Sequence, residues 1–347
     1  MEENEHIIGE RITVVGLGGA GCNTVSRITD LGIKSAETIA MNSDKLHLGI
    51  TRAHKKHVLG YSLTRGLGCG GFPEMGARAA EADKAVIQEM LKDSEIVFVC
   101  AGMGGGTGGG AAPIVSKIAK EQGATVVAMV TFPFSLERAR LKKALAGIQQ
   151  LKQNADTVVL IDNNKLASYV PNLPLDKAFS LADEIVANAI IGISDTIKLP
   201  SLMNVDFADV KNLMTNKGLA MISVGEGKGA DRVQEAINST LSNPLLDVEV
   251  AGANGALIHI AGGNSLTLGD AIKIGEGISG TLADTADVKM GARVIEDLGD
   301  TYVVTSIVTG VKSKILDYNF TPTMQYTDKE KKEQADTEAQ LLKLEAL

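Results

Sequence analysis

Ala101-Gly102-Met103-Gly104-Gly105-Gly106-Thr107-Gly108-Gly109-Gly110-Ala111-Ala112-Pro113 is the stretch on which the reading of the chain turns. Seven of the residues from Gly102 to Gly110 are glycine. Such a run forgoes side-chain packing and raises the entropy cost of folding, so something must require bare backbone there. It follows apolar Ile96-Val97-Phe98-Val99-Cys100 and precedes a helical run predicted from Pro113 to Lys120, which is the strand, loop and helix order of anion sites. Backbone N–H groups at a helix N-terminus, aided by the macrodipole, favour polyphosphate. Thr107 supplies the one hydroxyl of the loop. A flexible linker is the bland alternative, but linkers rarely join a β-branched run to an apolar helix that starts with proline.

A second glycine loop lies near the N-terminus. Ile12-Thr13-Val14-Val15 predicts a buried strand, running into Gly16-Leu17-Gly18-Gly19-Ala20-Gly21-Cys22-Asn23 and a helix from Thr24 to Leu31. Alone this is the dinucleotide fingerprint, a weak motif that leaves a nicotinamide-dependent oxidoreductase open. Two features favour a mononucleotide. The second strand, Thr38-Ile39-Ala40-Met41, ends in Asn42-Ser43-Asp44 rather than at a ribose-binding acid, and a simple dinucleotide domain has no use for the richer loop at Gly102 to Gly110. No Gly-x-x-x-x-Gly-Lys-[Ser/Thr] occurs, so phosphate charge falls to backbone dipoles and a divalent cation. A third turn, Gly66-Leu67-Gly68-Cys69-Gly70-Gly71-Phe72-Pro73-Glu74, reads by itself as an ordinary surface turn. Met75 to Leu91 predicts one amphipathic helix.

Strands at Thr125 to Thr131 and Thr157 to Ile161 continue an alternating βα pattern, so the fold class is α/β with a mainly parallel sheet covered by helices. A long helical stretch from Leu175 to Lys198 ends at Pro200. The remainder predicts an α+β unit with strands at 220–224, 256–260, 287–295 and 302–309. The division is 1–174, a central helix at 175–199, a second domain at 200–316, and a tail at 317–347. Its mixed run Asp328-Lys329-Glu330-Lys331-Lys332-Glu333 is of the kind that stays solvated.

The 347 residues carry 44% apolar side chains, enough for two ordinary cores, and a formal charge of −8. With no Trp and 3% aromatics, basic stripes and stacking rings for nucleic acid are missing. No run approaches the roughly 18 apolar residues of a membrane helix, and acidic Met1-Glu2-Glu3-Asn4-Glu5 is unlike a signal peptide, so a cytoplasmic protein with no membrane insertion is expected. Cys22, Cys69 and Cys100 form no Cys-x-x-Cys pair and are expected to be buried thiols. His54 and His57, among Arg52, Lys55 and Lys56, are expected in a solvated basic turn rather than a metal site.

From about Arg11 to Lys312 the chain resembles the tubulin/FtsZ superfamily, and in detail archaeal FtsZ. Gly104-Gly105-Gly106-Thr107-Gly108 matches its Gly-Gly-Gly-Thr-Gly signature, and Leu202-Met203-Asn204-Val205-Asp206-Phe207-Ala208-Asp209-Val210 is similar to its synergy loop. The resemblance implies a Rossmann-like GTPase domain, a central helix and a second α+β domain. It implies GTP or GDP, with Mg2+ held through the phosphates. Gly18, Gly19, Ala20, Gly21, Cys22 and Asn23, with Gly104 to Gly108, would cradle phosphates. Asn42 and Asp44 would face the nucleotide, and Gly70 and Gly71 would sense the γ-phosphate. The family commonly has a Glu after the fifth strand and an Arg four residues on; Glu137 matches, but Leu141 stands at the second position, leaving Arg140 as the substitute. Phe179 would lie against the base and Asp183 would read the guanine edge. By the resemblance Asn204, Asp206 and Asp209 serve catalysis in a neighbouring subunit's pocket, giving a head-to-tail polymer and a division ring. Taken from the residues alone, Phe179 is core, Asp183 a solvated acid, and Asp206 with Asp209 a pair of helix caps. FtsZ tails commonly engage membrane tethers; Gln340 to Leu347 is apolar enough for a short helix but matches no such pattern.

Overall fold

Apolar runs without polar alternation must be covered on both faces, and the structure buries the runs at Ile12, Ile96, Thr125 and Thr157 almost throughout. The computed structural model describes residues 11–313 except 171, 200, 204, 216–217 and 243–247. The charged tail, its apolar end and Asn204 therefore lie outside the described residues. The strands are β1 (Arg11–Leu17), β2 (Glu37–Asn42), β3 (Lys55–Val58), β4 (Ser94–Gly102), β5 (Thr125–Phe132), β6 (Thr157–Asp162), β7 (Gly218–Lys228), β8 (Val248–Glu249), β9 (Gly255–Gly262), β10 (Asp287–Val294), β11 (Thr301–Thr309) and β12 (Lys312–Ser313).

Among the described residues, ten strands form one sheet in the order β10-β9-β11-β7-β6-β5-β4-β1-β2-β3, and β8 pairs with β12. From β3 to β6 every pairing is parallel. The strand order reverses between β1 and β4, the crevice where doubly wound sheets bind ligands at their carboxyl ends. Both glycine loops leave the sheet there, one from β1 and one from β4.

The second half continues the same sheet. β6 pairs in parallel with β7 through Thr157↔Gly218, Val158↔Leu219 and Val159↔Ala220, so no break in the sheet separates the two halves. β11 is antiparallel to both β7 and β9, and β10 is parallel to β9. Following these pairings, β10 points the same way as β1. The central helix (Leu175–Lys198) covers the junction, with Ile190 and Ile193 in one core with Phe98, Met129, Leu257 and Ile307. Ile258, Ile274 and Tyr302 belong to a second core on the other face of the second half.

Four local expectations need correction. The helix after the organising loop begins at Thr107, six residues before Pro113, and runs Thr107–Glu121 with the proline inside and buried. Packing on both sides outweighs the one backbone bond that proline removes. The helix after the first loop likewise begins within the glycines, at Gly18. The single helix expected from Met75 to Leu91 is two, Pro73–Ala82 and Lys84–Leu91, because Asp83 between them turns its carboxylate to the Gly60 N–H and to His57 Nε2, both at 2.7 Å. His57 with Lys55 and Lys56 thus forms edge strand β3, and His54 Nδ1 accepts the Thr38 N–H at 2.9 Å, so this segment is sheet rather than a solvated turn.

Candidate functional site

The glycines divide by what a Cβ would meet. At Gly18 it would come 2.8 Å from Gly108 N, so the two loops are in backbone contact across the switch point. Gly104 has φ +85° and no room, a Cβ falling 2.7 Å from the Arg140 carbonyl oxygen. Gly19 and Gly105 are different: a Cβ at either meets nothing nearer than 3.8 Å, so packing does not account for the glycine. Residues Gly19, Ala20 and Asn23 are exposed, whereas Gly18, Gly21 and Cys22 are buried. Cys22 therefore offers only backbone, its thiol turned into the core and pushed up to about 12 by burial.

Both helices that follow these loops lack a side-chain cap and have no acid in their first turn. Two bare N-termini with positive dipole ends thus meet beside open backbone, an arrangement that fits a polyphosphate.

Hydroxyls and one cation tie the third loop to this pair. Thr107 Oγ1 lies 2.6 Å from Ser43 Oγ, which lies 3.2 Å from Cys69 Sγ. Lys143 Nζ donates to the Gly71 carbonyl at 2.8 Å and sits over the Phe72 ring. Gly70 and Gly71 are exposed. Asn42 is buried, its Oδ1 accepting the Asp44 N–H, while the Asp44 carboxylate caps the helix Lys45–Ile50 by accepting from the Leu46 and His47 N–H groups.

Glu137 and Arg140 meet at the Gly104 end. Arg140 Nη1 donates to Glu137 Oε2 at 2.5 Å, and Glu137 Oε1 accepts the Phe134 N–H. The Arg140 backbone abuts Gly104, whereas Arg138 is exposed and makes no ion pair among the described residues. Phe134 also touches Phe179 edge-on, the ring centroids 6.0 Å apart, and Phe179 is 37% exposed, so it is not core. Nor is Asp183 a solvated acid. It accepts from Thr24 Oγ1 at 2.6 Å, and burial raises its pKa to about 6 against the pull of the Thr24 hydroxyl and the Arg27 guanidinium. Beside it Arg27 pairs with Glu184 at 2.6 Å, so two polar contacts fasten the central helix to the helix of the first loop.

Asp206 and Asp209 lie elsewhere. Chain 202–203 runs antiparallel to β10, with Met203 bridged to Ala292, and the helix Phe207–Met214 follows. Asp206 holds the N-cap position but makes no side-chain cap bond, and Asp209 pairs with Lys289 of β10 at 3.2 Å. Asp206 therefore caps the helix with backbone alone, while Asp209 stands in the first turn, where its charge complements the helix dipole. Lys289 is the third residue of β10, and Met214 at the helix end is bonded to Thr157, the first residue of β6. These acids therefore lie at the amino ends of the strands, and the glycine loops at the carboxyl ends.

Sequence reasoning missed Ser43, Thr24, Lys143 and Lys289. Each acts on a partner more than 60 residues away, and only the short Asn42-Ser43-Asp44 turn gave any local signal.

The family model described as "Tubulin/FtsZ family, GTPase domain" matches residues 11–171, and the one described as "FtsZ family, C-terminal domain" matches residues 218–312. The chain belongs to the FtsZ family. As an FtsZ it has a GTPase domain over the half that holds the glycine loops, and the oxidoreductase alternative falls. The central helix and the Asp206–Asp209 segment lie between the two matched regions. Cell division protein FtsZ 2 of Methanocaldococcus jannaschii is 55% identical over 306 residues, covering 87% of this chain and 80% of that protein. Cell division protein FtsZ 2 of Haloferax volcanii is 48% identical over 314 residues, covering 90% and 78%. A solved FtsZ dimer from M. jannaschii superposes with a TM-score of 0.82 at 44% identity, covering 91% of this chain and 95% of that one.

Proposed function

We propose that this FtsZ binds GTP at the carboxyl ends of β1 and β4, assembles head to tail, and completes hydrolysis at the joint between subunits. The observation that carries this reading is the opposition just described: the glycine loops and the acids Asp206 and Asp209 sit at opposite ends of one continuous sheet. Copies stacked end to end bring the acids of one to the loops of the next. Such an interface is heterologous and open, so repetition gives a filament. The self-association named for the M. jannaschii dimer supports the same view.

In this reading Gly18 to Asn23 and Gly104 to Gly108 give their N–H groups to the phosphates, and Thr107 gives its hydroxyl. Gly70 and Gly71 approach the γ-phosphate, with Asn42 and Asp44 at the rim. Arg140, held by Glu137, adds positive charge. Phe179 covers the base, and the Asp183 carboxylate accepts from the donor edge of guanine. Mg2+ bound through the nucleotide would neutralise further phosphate charge. From the neighbour, Asp209 and Asp206 orient the attacking water, a role open to partly exposed carboxylates that make no side-chain cap bond; Asn204 accompanies them. The cellular role is a cytoplasmic ring at the division site, as the names of the relatives suggest, with the tail available to a membrane tether or other division proteins.

Asp209→Ala tests this reading. GTP affinity is expected to stay within about twofold while turnover falls at least a hundredfold, the pattern for a water-positioning group outside the ground-state phosphate contacts. Turnover per chain of the unaltered protein is expected to collapse on dilution below the assembly threshold. Constant turnover per chain down to monomers would place every catalytic group on one chain, and GTP binding without phosphate release at any concentration would leave an assembly protein that does not hydrolyse.

A further inference from the structure

The geometry points to Lys289 as the positioning residue for Asp209, holding its carboxylate ready for the neighbouring subunit's nucleotide. Asp209 is the third residue of its helix, a position from which a short acid can fold back onto the unsatisfied N–H groups of the first turn. It does not do so here. Its Oδ1 is drawn 3.2 Å from Lys289 Nζ. The ammonium also reaches Asp287 at 3.6 Å, and these two acids hold the lysine in its charged form. Both side chains are about one-third exposed, at 34% and 38%, so the pair stands at the surface and is no buried strut.

The pair does two things. It takes the carboxylate away from the helix end and holds it against β10, where its partial exposure leaves it open to a water. It also sets a positive charge between Asp209 and Asp287 with Asp206 nearby in the chain, easing the approach of an acidic surface to a polyphosphate. Backbone register fixes the pair. Met203 bridged to Ala292, and Val205 against Gly291, bring the Asp209 helix down along β10 to Lys289.

This inference rests on the reading that Asp209 acts in trans. It is tested by measuring GTP turnover per assembled subunit, with the polymer separated by sedimentation, for Lys289→Gln, Lys289→Arg, Asp209→Asn and the double variant Lys289→Gln/Asp209→Asn. Lys289→Gln is expected to lower kcat by about ten- to a hundredfold, the scale of a displaced reacting group, with KM for GTP unchanged because the nucleotide sits on another chain. Lys289→Arg keeps the charge and is expected to restore kcat to within about threefold of the unaltered protein. The double variant is expected to be no slower than Asp209→Asn alone, since Lys289 acts only through that carboxylate. Melting temperatures should agree within about 2 °C, because an exposed pair adds little to stability.

Wild-type kcat for Lys289→Gln beside a slow Asp209→Asn would overturn the inference and leave the trans reading intact. Wild-type kcat for Asp209→Asn would sink the reading beneath it. Additive losses in the double variant would also remove the claim, by giving Lys289 a role of its own. Should Lys289→Gln fail to polymerise alone, it is read in co-polymers with unaltered chain. There turnover should fall by the share of joints the variant serves, and undiminished turnover counts against the inference.

Discussion

The Thr107 hydroxyl lies 2.6 Å from the Ser43 hydroxyl, joining the first residue of the helix after β4 to the turn after β2 across 64 positions of sequence. Ser43 also reaches Cys69 of the third loop, so one small hydroxyl links two segments that the sequence offers separately. Thr107→Val keeps the shape and removes the polar link. GTP affinity measured by calorimetry is expected to fall at least tenfold, about 1.4 kcal/mol, and Ser43→Ala, which spares the Thr107 hydroxyl, should cost less. Unchanged affinity for Thr107→Val would mean that its hydroxyl serves packing alone.

Gly105 and Gly110 should separate two uses of glycine within one loop. A Cβ at Gly110 would fall 1.8 Å from the Pro73 carbonyl oxygen, so Gly110→Ala is expected to lower stability by about 3 kcal/mol or more, read as a lower melting temperature without nucleotide. Gly105→Asp has room and should leave the melting temperature nearly unchanged, while abolishing GTP binding by setting a negative side chain where phosphate lies. A Gly105→Asp protein that binds GTP normally would take this loop out of the phosphate site.

Asp183 carries a pH signature. Its folded pKa, raised by burial to about 6, lies above the ordinary 3.8, so the folded chain holds this proton more tightly than the unfolded chain. The contribution of the group to stability is therefore greatest below about pH 4 and declines as pH rises through about 6, by about 3 kcal/mol in all. Asp183→Asn retains an acceptor for Thr24 and removes that cost, so without nucleotide the variant should be more stable than the unaltered protein at pH 7, and equal to it near pH 4. GTP should show the opposite preference, because the ionised carboxylate accepts from guanine: affinity should weaken below about pH 6, and the Asn variant should bind weakly at every pH. Identical denaturation midpoints for the two proteins from pH 4 to 7 would refute the assignment.

Arg140 and Arg138 share a helix turn but not an environment. Arg140 is paired with Glu137 beside Gly104, so Arg140→Ala is expected to weaken GTP binding or turnover about tenfold, and Arg138→Ala less than twofold. Equal losses in the two variants would show that neither guanidinium reaches phosphate.

Local sequence determined a great deal here. Unbroken β-branched runs can be satisfied only by a sheet covered on both faces, so β1, β4, β5 and β6 were legible, as was the central helix to the residue, Leu175–Lys198. The glycine density between Gly102 and Gly110 was equally telling, because bare backbone has few other uses between a strand and a helix. Element boundaries inside glycine-rich or polar stretches were not legible. Thr107–Gly110 has poor helix propensity, and only its close fit against the Pro73–Ala82 helix makes it helical. Asp83 reads as one more polar position on a helix face until its partners His57 and Gly60 are seen.

What tertiary structure alone decided were the relations between distant residues. Sequence left Asp206 and Asp209 as a pair of acids at a helix start, and only β10 shows that Asp209 has a charge partner in Lys289, 80 residues further on. Sequence likewise left Asp183 as a solvated acid, and it was the packing of the central helix on the helix Gly18–Asp30 that buried it against Thr24. Hydrogen-bond and burial preferences along a short segment are set by its own residues. Which group meets which across the fold depends on strand order and register, and those arise only when the whole sheet closes on its core.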